Sequence, residues 1–145
     1  MIMTTQELLN SLKQAGMRIT PQRIAICDLL SNTRMHPTAA AIYDQIKAQY
    51  PSLSLATVYN TLEALTGLGA IHQVGSAGDD SAHYDADISP HMHLACIECN
   101  RIIDVFTDLA AAVDDEISRK FGYKILGARI VYYGLCPECQ KSIAN

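Results

Sequence analysis

The fold reading turns on Ser54-Leu-Ala-Thr57-Val-Tyr59-Asn60-Thr-Leu62-Glu-Ala-Leu65-Thr-Gly67-Leu-Gly69. Ser54 is an N-cap residue type and the two glycines are stop signals, so the spacing predicts a helix over 55–68. On a helical wheel Leu55, Val58, Leu62 and Leu65 share one face, Ala56, Asn60, Glu63 and Ala64 point away, and Thr57 and Tyr59 flank the seam. The outward surface is small, polar and aromatic, as suits a helix entering a nucleic-acid groove closely. Downstream, Ala70–Val74 and Ala82–Asp85 are joined by the turn-rich run from Gly75 to Asp80, a hairpin pattern. Upstream, Thr4 or Thr5 opens a helix that runs to Gly16. Thr20-Pro21 opens a second through Ile24, Cys27 and Leu30, and Pro37-Thr38 a third, ending before Pro51. Short helices followed by a hairpin describe a winged helix, or more plainly a helical subdomain with a surface hairpin.

The 145 residues are 49% hydrophobic and 18% charged, with a formal charge of −4, so the chain can bury real cores and has no global polybasic character. Any nucleic-acid footprint is therefore local. Residues 1–70 sum to +1 and residues 71–145 to −5, which suggests two functional units. The nearly uncharged run Ala48–Gly78 is too polar and too rich in Pro and Gly for a membrane span. MIMTTQELLN lacks the layout of a secretory signal, and the expected location is cytoplasmic.

The second half reads as a small α/β unit. Leu94–Cys96 and Arg101–Phe106 are strand candidates, Asp108–Phe121 is an Ala-rich helix, and Tyr123–Tyr133 is an apolar, β-branched strand candidate. The acidic helix and apolar strands suit a self-association surface. Cys96-Ile-Glu-Cys99 and Cys136-Pro-Glu-Cys139 stand 43 positions apart from first to last cysteine. Two CxxC pairs offer four thiolates for a closed tetrahedral zinc site, and without a secretory context this reading is favoured over redox pairs or simple packing. Cys27, on the apolar face of its helix, reads as a small hydrophobe.

His91-Met92-His93 lies in an extended segment, where residues two apart project to one side, and Asp85, Asp87 and Asp104 are near in sequence. Two imidazoles with one or two carboxylates suit iron(II), manganese(II) or zinc rather than calcium. Spacing alone leaves open whether they hold a second metal or are a surface feature beside the zinc.

Arg18-Ile-Thr20-Pro-Gln22-Arg23, His36-Pro-Thr-Ala39, Ala56-Thr-Val-Tyr59-Asn60-Thr-Leu62, the Asp85–His93 run and the two CxxC pairs resemble, in that order, the motifs of the ferric uptake regulator (Fur) family. The resemblance covers essentially the whole chain. It implies an α+β architecture: a winged-helix DNA-binding domain (1–85), then an α/β dimerisation domain (86–145) with structural zinc on Cys96, Cys99, Cys136 and Cys139. It also implies a regulatory metal site between the domains. The sequence looks most like the peroxide-sensing PerR branch, whose regulatory ligands match His36, Asp85, His91, His93 and Asp104. Asp104 and Asn60 stand where iron sensors commonly carry Glu and Arg. No cysteine accompanies Ala86 before the HxH, which counts against a zinc sensor.

The resemblance therefore predicts a homodimeric repressor of palindromic operator DNA, with Zn2+ structural and Fe2+ or Mn2+ regulatory. Peroxide would oxidise His36 or His91 and release the DNA. Arg18 and Arg23 are the candidate phosphate contacts, Tyr59 and Asn60 the candidates to approach bases, and Thr57 a further DNA-binding candidate. The same-class alternative is an iron- or manganese-availability repressor without peroxide sensing. A metallohydrolase using the His/Asp set would leave the winged helix unexplained. A zinc-stapled interaction module is the reading that operator affinity independent of the second metal would favour.

Overall fold

The computed structural model describes residues 2–75, 81–89, 91–125, 128 and 130–144. It divides into two compact units, Met1–Val74 with Ala82–Ser89, and Gly75–Ser81 with Pro90–Asn145.

Among the described residues, the first unit holds four helices, each opened by a hydroxyl cap. At α1 (Thr5–Gln14), Thr4 accepts from the Glu7 amide while the Glu7 carboxylate accepts from the Thr4 amide, a full capping box. At α2 (Pro21–Asn32), Thr20 accepts from the Arg23 amide and proline takes the first helical position. Thr38 caps α3 (Ala39–Ile46) and Ser54 caps α4 (Leu55–Gly67) in the same way. Leu8, Leu12, Ile26, Leu30, Ile42, Val58, Leu62 and Leu65 are buried together in one core. Each such side chain contributes roughly 1.5–3 kcal/mol on full burial.

The inward face of α4 differs from the wheel reading. Leu55 is 41% exposed, whereas Thr61 is fully buried. The buried arc runs from Thr61 through Leu65 and Val58 to Leu62, leaving Leu55 at its edge in the first turn. Thr61 can face the core because its hydroxyl donates to the Thr57 carbonyl at 2.8 Å, so no polar group is stranded.

β1 (His72–Val74) and β2 (His83–Asp85) pair antiparallel, with His72 opposite Asp85 and Val74 opposite His83. Ala70 and Ile71, expected in the first strand, are buried ahead of it. The expected turn includes residues 76–80, which lie outside the described residues. Four helices followed by this hairpin form the winged helix.

Among the described residues, the second unit is a three-stranded sheet of order β4-β3-β5 with two helices. β3 (Met92–Cys96) pairs antiparallel with β4 (Ile102–Val105) through the first CxxC turn. α5 (Asp108–Phe121) leads to β5 (Val131–Gly134), which lies parallel to β3. Thr107 caps α5, and Gly122 at φ 72° ends it in the left-handed conformation that favours glycine. Of the strand expected over 123–133, the described residues 123–125, 128 and 130 carry no strand assignment, whereas Val131–Tyr133 fall in β5, which pairs with β3 from His93 opposite Val131. Leu126, Gly127 and Arg129 of that expectation lie outside the described residues. α6 (Pro137–Ala144), which the sequence reading did not anticipate, carries Cys139.

Leu109, Val113, Ile117 and Phe121, four residues apart on α5, are exposed. Among the described residues, no helix is long and apolar enough to cross a membrane.

Candidate metal centres

The cysteine centre is built by sheet register. β3 and β5 align Cys96 opposite Gly134, and the Ile97 amide donates to the Gly134 carbonyl at 3.0 Å, so the second CxxC pair emerges beside the first. The first pair turns on Asn100 at φ 62°, a left-handed position asparagine tolerates, with the Asn100 amide donating to the Cys96 carbonyl. The sulfurs of Cys96, Cys99, Cys136 and Cys139 lie within 4.8 Å of one another, and Cys99 and Cys136 are 3.9 Å apart. A tetrahedral zinc with Zn–S near 2.3 Å sets its sulfurs roughly 3.8 Å apart, so the donor set fits that ion. Hydrogen bonds from the Cys99 and Cys136 amides pull the Cys96 thiol down to about 6, while hydrogen bonding to the Cys136 sulfur pushes the Cys139 thiol up to about 12, so the crowded sulfurs share their protons unevenly.

A second cluster in this unit combines His91, His93 and Asp104. Antiparallel register sets His93 directly opposite Asp104. One carboxylate oxygen, Oδ1 of Asp104, lies 3.1 Å from His91 Nε2 and 3.4 Å from His93 Nε2. Both imidazoles are buried, their rings 4.5 Å apart, and Phe106 stacks on His91 at 5.1 Å. Adjacent ligands of a six-coordinate ion with bonds near 2.1 Å stand about 3 Å apart, which these separations match. Two nitrogens and one oxygen suit iron(II), manganese(II) or zinc and leave such an ion half coordinated.

In the first unit, His36 Nε2 lies 3.2 Å from Asp85 Oδ2, and both residues are buried. His36 sits at φ 45°, a left-handed backbone uncommon for any residue with a Cβ. Oδ1 of Asp85 accepts from the Asp87 amide at 2.8 Å, so one carboxylate oxygen is fixed by the turn and the other faces His36. Asp87, weighed with Asp85 and Asp104 on sequence proximity, instead accepts from the Ser89 amide at 3.0 Å and from the Ser89 hydroxyl.

His83 received no role in the sequence reading. Its Nδ1 lies 2.7 Å from the His36 carbonyl oxygen. Strand alternation was the available signal, because His83 stands two residues before Asp85 and shares its face. Cys27 is buried in the core, and desolvation pushes its thiol up to about 12, in keeping with a packing role.

Of the candidate nucleic-acid residues, Tyr59 and Asn60 are exposed on α4 and Thr57 is half-buried beside its cap. Arg18 is exposed ahead of α2, and half-buried Arg23 donates from Nη1 to the Arg18 carbonyl.

A winged helix followed by a small α/β unit with sulfur and nitrogen–oxygen donor clusters defines a metal-binding winged-helix protein. The chain belongs to the ferric uptake regulator family, whose model matches residues 14–133. It is 38% identical over 136 residues to the peroxide operon regulator of Bacillus subtilis strain 168, covering 94% of this chain and 93% of that one. It is 30% identical to PerR from Streptococcus pyogenes, a protein solved for peroxide sensing and gene regulation, with TM-score 0.53 and coverage of 97% and 96%. The Helicobacter pylori ferric uptake regulator, solved with three functional metal-binding sites, superposes with TM-score 0.79 at 22% identity, covering 96% of this chain and 95% of that one, a likeness of fold.

Proposed function

We propose that this protein is a metal-dependent transcriptional repressor that binds palindromic operator DNA as a homodimer and is released by peroxide through oxidation of a ligand histidine. Residues 1–85 carry DNA binding, and residues 86–145 carry dimerisation and structural zinc on Cys96, Cys99, Cys136 and Cys139. The observation that supports the reading best is that the nitrogen–oxygen donors come as two incomplete sets. His36 and Asp85 are preset at 3.2 Å in one unit, and His91, His93 and Asp104 are preset around one oxygen in the other. Neither set alone saturates a six-coordinate iron(II) or manganese(II), and together they leave one open position.

With all five residues ligating one ion, the two units are held in one mutual orientation. In a two-fold dimer that orientation sets the spacing of the two α4 helices, which must meet successive major-groove faces. A hundredfold preference of the metal for this state shifts the equilibrium by about 2.7 kcal/mol. Arg18 and Arg23 contact phosphates, Tyr59 and Asn60 approach base edges, and Thr57 adds a DNA contact beside them. The α5 stripe and the apolar strands serve dimerisation. Such a regulator works in the cytoplasm and is not an enzyme.

Bound iron(II) supplies the redox chemistry that turns hydrogen peroxide into a local oxidant. At His36 or His91, one ring C–H becomes C–OH. The imidazole gains one oxygen atom and loses two electrons, and the other peroxide oxygen leaves as water. The oxidised ring is a poorer ligand, the orientation is lost and DNA is released.

The test is peptide mass spectrometry with fragmentation after peroxide treatment of iron-loaded protein, with manganese-loaded protein as control. Fragmentation is needed because Met35 adjoins His36 and Met92 separates the other two histidines. Oxygen on His36 or His91 with iron alone supports the mechanism. Unmodified histidines at full iron occupancy would replace it with a metal-availability repressor.

A further inference from the structure

His36 is an awkward residue to present as a ligand. It lies in the connection between α2 and α3 with φ at 45°, a backbone region that side chains with a Cβ enter at a cost and keep only where their surroundings enforce it. Two backbone contacts hold the segment after it: the Tyr84 amide donates to the Pro37 carbonyl at 3.0 Å, and Thr38 bridges to His83. His83 reaches His36 itself, its Nδ1 standing 2.7 Å from the His36 carbonyl oxygen. A carbonyl only accepts, so Nδ1 of His83 carries the proton. His83 is 7% exposed, and a buried contact of this kind is not exchanged for water. Residues two apart in a strand share a face, so β2 grips His36 twice, at its ring through Asp85 and at its main chain through His83.

We propose that His83 is a positioning residue for the regulatory metal, holding the His36 carbonyl so that the strained backbone presents its imidazole beside Asp85. The inference rests on the reading that His36 and Asp85 are metal ligands. Residues that orient ligands typically change metal affinity 10–100-fold when removed.

The experiment titrates manganese(II) alone into the full zinc-loaded chain. Wild type is compared with His83→Leu, which removes the donor, His83→Asn, whose side-chain amide places an N–H at nearly the same reach as Nδ1, and His36→Ala. The expected result is affinity lowered 10–100-fold in H83L, restored to within about threefold in H83N, and lowered in H36A, with zinc content unchanged. An independent readout needs no variant: NMR of the manganese-free wild type should show a slowly exchanging imidazole N–H at Nδ1 of His83. Absence of that proton overturns the proposal, as does an H83L affinity equal to wild type or an H83N affinity as weak as H83L. If H36A leaves affinity unchanged, the ligand assignment fails and the positioning role falls with it. If H36A weakens binding while H83L does not, only the positioning role falls.

Discussion

Removing the zinc should unfold the second unit and spare the first. Among the described residues, the apolar side chains buried in the second unit are Met92, Ala95, Cys96, Ile102 and Ala110, and Cys96 is one of the proposed zinc ligands. The first unit buries leucines and isoleucines from all four of its helices. A structural zinc in small domains is worth about 10–16 kcal/mol of folding free energy. That is comparable to the roughly 5–15 kcal/mol by which whole domains are stable, so a sheet with so few buried methyl groups should not absorb the loss. The perturbation is the double variant Cys99→Ser with Cys136→Ser, or chelation after thiol oxidation of the wild-type protein. The assay is hydrogen exchange read by mass spectrometry. Amides of β3, β4 and β5 should lose at least about a thousandfold of protection, which is only some 4 kcal/mol of the zinc contribution. Amides of α1, α2 and α4 should stay protected. Undiminished protection in β3 and β5 of zinc-free protein would refute the reasoning, and equal losses in both units would refute the claim that the first core is self-sufficient.

Further outcomes follow from the same geometry. Asn60→Ala should weaken binding to the preferred operator by about 1–3 kcal/mol, with little change on unrelated DNA. Arg18→Ala should weaken both alike and reduce the slope of log affinity against log salt by about 1, as measured by fluorescence anisotropy. Cys27, its thiol pushed up to about 12 by burial, should resist iodoacetamide at pH 8 until the first unit is denatured, and ready alkylation of folded protein would mean that the core opens. Glu7 is held below the ordinary carboxylate range by hydrogen bonds from the Thr4 amide and hydroxyl. A depressed folded-state pKa contributes stability above the ordinary glutamate value and loses it as pH falls through the folded value. Glu7→Gln should therefore lower Tm at pH 7, and the gap to wild type should close on acidification below about pH 4. A constant gap across that range would remove Glu7 ionisation as the cause.

What was legible in the sequence was local. Thr4, Thr20, Thr38 and Ser54 announce their helices because a capping hydroxyl acts on an amide three residues away, and that relation is written in the chain. The four cysteines announce a metal because CxxC places two sulfurs in one turn whatever surrounds them. Even the shared side of His91 and His93 follows from the two-residue period of extended backbone.

Tertiary structure decided everything that depends on which segment lies beside which. Leu55 and Thr61 sit on opposite edges of the apolar arc of α4, and packing buried the threonine because its hydroxyl could be satisfied within its own helix. Among the described residues of the strand expected over 123–133, pairing with β3 fixes the strand at β5, with Val131 opposite His93. Spacing did not separate the three nearby aspartates; antiparallel register set Asp104 opposite His93, a turn aimed Asp85 at His36, and Asp87 accepts from Ser89. His83 carries no motif at all. Its hydrogen bond to the His36 carbonyl spans 47 positions, and a contact between distant segments is fixed by register and burial, neither of which a linear spacing encodes.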